Sequence, residues 1–156
     1  MTAWWDVARD VFQAALQPLA ADAARIEEGA WFDDGRFVSL VPADRDCLQI
    51  DVMGARDQAF YVVIAIADYS WEESDLDALH PILSDLVGDV VTGGVIKHRW
   101  LQGGRVIAVE TVFPSRPTLG WVQGDVPTVA GLLHGVRAEP DDAYRFPPFA
   151  TPPSGQ

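Results

Sequence analysis

From Ala30 to Ala67 the apolar residues of this chain recur with a period of two, whereas the stretches on either side repeat every three to four residues. That switch constrains the fold more than any other feature. A period of two is the signature of strands, and helical spacing on both flanks makes an α+β fold with helices packed on a sheet the expected class. Within the period-two region, Cys47 to Met53 alternates, with Leu48, Ile50 and Val52 expected inward and Cys47, Gln49 and Asp51 outward. Ala59 to Ala67 is apolar at nearly every position and rich in Val and Ile, which predicts a strand near the sheet centre covered on both faces.

The flanking elements follow from spacing and punctuation. Trp5, Phe12, Leu16, Leu19, Ala23 and Ile26 predict an amphipathic helix over residues 2–26, kinked or broken near Gln17 by Pro18 and ended by Gly29. Trp31-Phe32, a turn at Asp33-Asp34-Gly35 and a strand from Arg36 to Val41 come next, with a short hairpin partner in front. Ser74 as N-cap and Leu76, Leu79, Leu83, Leu86 and Val90 predict a second helix from Asp75 to Val91, stopped by Gly93-Gly94. Val95 to Leu101 and Arg105 to Phe113 read as a hairpin turning at Gln102-Gly103-Gly104. Asp125 then caps a short helix carrying Val126, Val129, Leu132, Leu133 and Val136. The expected order is α-β-β-β-α-β-β-α, a twisted and mainly antiparallel sheet with helices packed on it. It occupies residues 1–139 as one domain, and a Pro-rich tail over 140–156 lies extended on the surface.

Charge narrows the partners. The chain has 23 acidic against 11 basic residues, and its one lysine is Lys97. Such a surface repels a polyanion, so nucleic acid is not an expected partner, and Lys97-His98-Arg99 reads as a polar strand face. The run from Ala59 to Ala67 is too short for a membrane helix, and the opening Met1-Thr2-Ala3-Trp4-Trp5-Asp6 has no basic region before an apolar core. A cytoplasmic protein is expected.

The residues that could carry chemistry have simpler structural readings. Cys47 is the one cysteine, which leaves no disulfide and no four-cysteine zinc site, and it reads as a structural thiol. His80, His98 and His134 fall on different elements without metal-ligand spacing. Gly93-Gly94 and Gly103-Gly104 lack the lysine and hydroxyl of a phosphate loop. Glu72, Glu73, Asp75 and Asp77 sit where a helix macrodipole favours negative charge. No catalytic residue, cofactor or metal ligand is therefore expected, and the chain reads as a non-catalytic binding protein. Of its six tryptophans, Trp31, Trp100 and Trp121 read as core, whereas Trp4, Trp5 and Trp71 lie at element ends where a ring can anchor a partner.

The succession of elements, carried by GRFVSL, CLQIDVMG, AFYVVIAIA, SDLDALHPILSDLVGDVV and GGVIKHRWLQGGRVIAVETVF, resembles the small acidic chaperones of type III secretion and the related YbjN-type peptide-binding chaperone domains. It spans about Thr2 to Ala138. The resemblance implies a homodimer whose sheet, with helices on one side, captures an extended client segment. Strand addition at a free edge would supply the contact, and the strand from Arg36 to Val41 is the candidate edge, offering Phe37, Val38, Leu40 and Val41. A peptide- or protein-binding chaperone or adaptor is the leading expectation. The alternative is an acidic immunity protein that neutralises a basic toxin through the Glu72 to Asp77 cluster.

Overall fold

Pro18 decides where the first helix stops, because a proline after Gln17 can neither donate the next hydrogen bond nor fit against the preceding turn. In the computed structural model, which describes residues 3–32, 34–55, 62–66, 69–117, 121–124 and 139–154, α1 runs from Trp4 to Leu16 with Gln17 as its C-cap. The helix does not resume after the break. Leu19 and Ala23 are buried in the connection, and Ile26 belongs to a strand, β1, at Ala24–Trp31. Their helix-like spacing reflects a shared core, not a continuous helix.

β1 opens a five-stranded antiparallel meander with β2 (Gly35–Pro42), β3 (Ile50–Ala55), β4 (Val62–Ile66) and β5 (Tyr69–Glu73), paired in chain order. Two expectations change here. The anticipated short partner of β2 is a full eight-residue strand, so β2 is interior and the sheet edges are β1 and β5. β4 lies one strand in from β5 and is covered by described elements on one face only: Val62, Ile64 and Ile66 are buried while Val63 and Ala65 are partly exposed. Residues 59–61 and 67 of the anticipated strand lie outside the described residues.

α2, Leu76–Val91, begins at Asp75, whose side chain accepts from the Asp77 backbone N–H at 3.0 Å. The cap thus falls one residue after Ser74. The helix ends in a Schellman motif: Gly93 adopts φ 71°, its N–H donates to Val90 O at 3.2 Å, and Gly94 N–H donates to Asp89 O at 2.8 Å. α1 packs on β1, β2 and β3, and α2 packs beside α1 and against β5. Both helices cover the same face. Trp4, Ala8, Phe12, Leu79, Leu83 and Leu86 meet Val38, Leu40, Ile50, Val52, Ile64 and Ile66 in the main core.

A second antiparallel sheet has the order β8-β7-β6-β9 and contains the expected hairpin. β6 (Ile96–Gln102) and β7 (Arg105–Val112) are joined through Gly103 and Gly104, at φ 57° and 78°, the left-handed pair that a tight hairpin turn requires. β8 is Trp121–Gly124 and β9 is Asp142–Arg145. The anticipated short helix after Asp125 lies outside the described residues.

β9 revises the reading of the C-terminal residues as a surface tail. It pairs with β6, the Arg99 guanidinium grips the Asp142 carboxylate at 2.8 and 2.6 Å, and the Asp141 N–H donates to Arg99 O. Beyond it Phe149 is only 2% exposed in the main core. The Phe149 N–H donates to Val91 O, Ala20 N–H donates to Ala150 O, and the Cys47 thiol reaches Pro148 O. The prolines keep this segment extended without demanding hydrogen bonds, so it threads between α2 and the connection after α1. Among the described residues no helix is long and apolar enough to cross a membrane.

Candidate functional site

Strand register sorts the residues of the first sheet into two faces. Glu28, Val38, Val52, Ile64 and Trp71 stand in one cross-strand row under the helices. The next row, Gly29, Phe37, Met53, Val63 and Glu72, points the other way. No described element covers that second face. Its centre is nonetheless apolar: Phe37, Met53 and Val63 are half-buried against one another, and the Phe37 ring fills the space over Gly29, where a Cβ would lie 2.7 Å from the ring.

At the hairpin tip this face gains an aromatic lip. The rings of Trp31 and Phe32 lie 5.2 Å apart with their planes at 57°. They border an open cavity of ≈ 450 Å³ whose other walls come from Asp34, Met53, Ala55 and Val63. Trp31 is 38% exposed and Phe32 is 83% exposed. Phe32 also has φ 52°, a left-handed conformation rare for an aromatic residue and costing on the order of 1–2 kcal/mol. Gly35 permits the turn, since any Cβ there would collide with Trp31 O.

Three of the anticipated anchors serve the interior. Trp4 is fully buried, with its indole N–H donating to Ala55 O at 3.0 Å, because it lies on the core stripe of α1. Trp5 stacks edge-on to Trp4 and carries the Arg36 guanidinium 4.9 Å above its ring. Trp71 is half-buried on the helix side, opposite Ile64. In β2, Val38 and Leu40 are wholly buried under the helices, so the edge-strand role assigned to this strand fails. Phe37 and Val41 are half-exposed on the open face. Trp100 is buried as expected, whereas Trp31, also read as core, forms half of the lip. The signal for Trp31 was present, since it immediately precedes a turn, where one ring face has no strand to pack on.

The electrostatics of the two faces differ. On the helix side, Arg9 of α1 binds both carboxylate oxygens of Glu28 at 2.6 and 3.1 Å, and Arg36 adds a contact at 2.9 Å. The Arg9 hydrogen bond is the main cause that holds the Glu28 carboxyl down at about 2, Arg36 lowers it further, and desolvation opposes both. On the open face, the strands carry one cation, Arg25, which pairs with Glu27 at 2.6 Å. The Asp51 carboxylate accepts from Ser39 Oγ at 2.5 Å and Gln49 Nε2 at 2.8 Å.

The acidic cluster from Glu72 to Asp77 is largely committed to starting α2. Glu73 accepts from the Ser74 and Asp75 backbone N–H groups, and Asp75 caps the helix. Glu72 alone turns to the open face. Lys97-His98-Arg99 is likewise absorbed in part, with His98 Nδ1 3.2 Å from buried Glu110 and Arg99 on Asp142. Cys47 was expected outward on a strand, but it precedes β3 and is buried. Desolvation pushes its thiol pKa up, and the charges of Asp44 and Asp46 add to that. Among the described residues no three His, Cys, Asp or Glu side chains converge as a metal-holding group.

No protein-family model, curated protein or solved structure matches this chain.

Proposed function

We propose that this chain is a non-catalytic protein-binding module, a chaperone or adaptor, that seats an apolar segment of another polypeptide on the helix-free sheet face at the β1–β2 hairpin. The observation that carries this reading is Phe32. A bulky aromatic held at positive φ and 83% exposed costs stability twice, through backbone strain and through apolar surface left in water. Among the described residues its one ring contact is with Trp31, itself 38% exposed. Its position beside Trp31 and the open apolar cavity is what a partner-anchoring aromatic requires. The implied secretion-chaperone resemblance points to the same activity. The alternative of an acidic toxin inhibitor draws less support, since Glu73 and Asp75 are engaged at the start of α2.

A photo-crosslinking residue at position 32, with a control at exposed Asp77 on α2, tests the proposal in the native host. A discrete protein should crosslink from position 32 and not from position 77. Its capture should disappear in Trp31→Ala/Phe32→Ala while that variant still melts cooperatively. Retention of every partner by the double variant would refute the proposal.

A further inference from the structure

The open face is apolar at its centre and acidic at its margins, and three of its carboxylates have no ion pair among the described residues. Asp34 stands at the lip and lines the cavity. Glu72 faces Val63 from β5 at the far side, and Asp51 lies one row along the same face on β3. None of the three has an ion pair among the described residues, whereas Arg25, the one cation on these strands that faces the same way, is already held by Glu27.

We infer that the segment seated on this face is cationic at both ends of an apolar centre, its basic side chains reaching Asp34 at one margin and Glu72 at the other. This inference rests on the docking reading above and specifies its partner. Strands lie ~4.8 Å apart, so crossing from the hairpin tip to β5 covers roughly 20 Å, which an extended chain spans with about six residues. The recognised pattern is therefore one or two large apolar residues flanked by lysine or arginine about six residues apart. A second copy of this chain fits poorly. Each copy carries a net charge of −12, and face-to-face docking would set Asp34, Asp51 and Glu72 against their equivalents. An acidic lipid surface is excluded by the same repulsion.

Three fluorescent peptides with one shared apolar centre, flanked by lysines, serines or glutamates, decide the matter by anisotropy titration of the full chain. The lysine-flanked peptide should bind about fivefold more tightly than the serine-flanked one at low salt, and the advantage should shrink as salt is added. The glutamate-flanked peptide should bind weakest. Asp34→Asn/Glu72→Gln should erase the lysine advantage, so that the lysine- and serine-flanked peptides bind alike, while Phe32→Ala weakens all three peptides. If the lysine and glutamate peptides bind alike and both are lost in Phe32→Ala, the charge inference falls and the docking reading stands. If no peptide binds, or if Phe32→Ala binds as the parent does, the docking reading falls and the inference with it. Self-association that Phe32→Ala abolishes would assign the face to a second copy and overturn the inference as well.

Discussion

The guanidinium of Arg9 on α1 clasps the carboxylate of Glu28 on β1 through two hydrogen bonds, Nε to Oε1 at 2.6 Å and a terminal nitrogen to Oε2 at 3.1 Å. The pair joins the first helix to the edge strand. Glu28 has its carboxyl pKa lowered from 4.5 to about 2 in the folded chain. A carboxylate depressed on folding contributes stability that is fully present above pH 4.5 and lost as the pH falls through 2. Glu28→Gln should therefore cost about 1 kcal/mol at neutral pH, the pair being partly open to solvent. The gap between variant and parent should close on acidification toward pH 2. Urea midpoints across that range measure it, and a gap independent of pH would exclude the linkage.

Phe32→Gly should raise stability by roughly 0.5–1 kcal/mol, since glycine accepts the left-handed backbone without strain and the loss of an exposed ring costs little. The same substitution should abolish the binding seen with Phe32. Denaturant midpoints and peptide titrations on one preparation check both halves. A destabilised variant would remove the argument from strain.

Glycines 88 and 93 should respond in opposite directions. Gly88 lies exposed inside α2 with open space around its missing Cβ, so Gly88→Ala should stabilise the chain by about 0.5–1 kcal/mol through helix propensity. Gly93 has φ 71°, and a Cβ there would lie 2.7 Å from Pro148 N, so Gly93→Ala should destabilise by more than about 1 kcal/mol. Thermal melts of the two variants in parallel settle the comparison.

Phe149→Ala should cost about 3–5 kcal/mol, as for other wholly buried aromatic side chains. A side chain on a loose surface tail would cost almost nothing. Equilibrium unfolding in urea distinguishes these outcomes, because a loss of that size exceeds the ~10–15% error of an extrapolated free energy, and a small change would be decisive against the docked position.

Thiol reagents should label Cys47 slowly in the folded chain and rapidly in urea, because burial and the nearby Asp44 and Asp46 both disfavour the thiolate. Rapid native-state labelling would show that the segment over Pro148 opens readily.

α2 and the β6–β7 hairpin were legible in the sequence because local signals agreed: leucines at helical spacing between an acidic start and Gly93, and two glycines between alternating strands. β1 was misread because Leu19, Ala23 and Ile26 face one core from a loop and a strand while imitating one helical stripe. β5 was missed because Tyr69-Ser70-Trp71-Glu72-Glu73 is short, polar on alternate positions and runs straight into the helix start. β9 was hidden among prolines, which argue against a central strand but not against a short edge. Of the candidate site, Phe37 and Val41 reach the open face, whereas Trp31 and Phe32 were not assigned to it. That face is set by both helices falling on one side of the meander, a tertiary choice to which no local pattern corresponds. The uninterrupted apolar run through β4 was the available clue, since Val63 and Ala65 are apolar where no described element covers them.

The contact between Cys47 and Pro148 joins residues 101 positions apart, and Phe149 beside it completes the main core. A ribosome must therefore deliver nearly the whole of this sequence before that core can close. Until then the growing chain holds an unfilled apolar slot, even though the strands of its first sheet can pair with their neighbours as they emerge. Synthesis rate and the availability of general folding helpers should thus govern the yield of this protein more than the stability of its first sheet does.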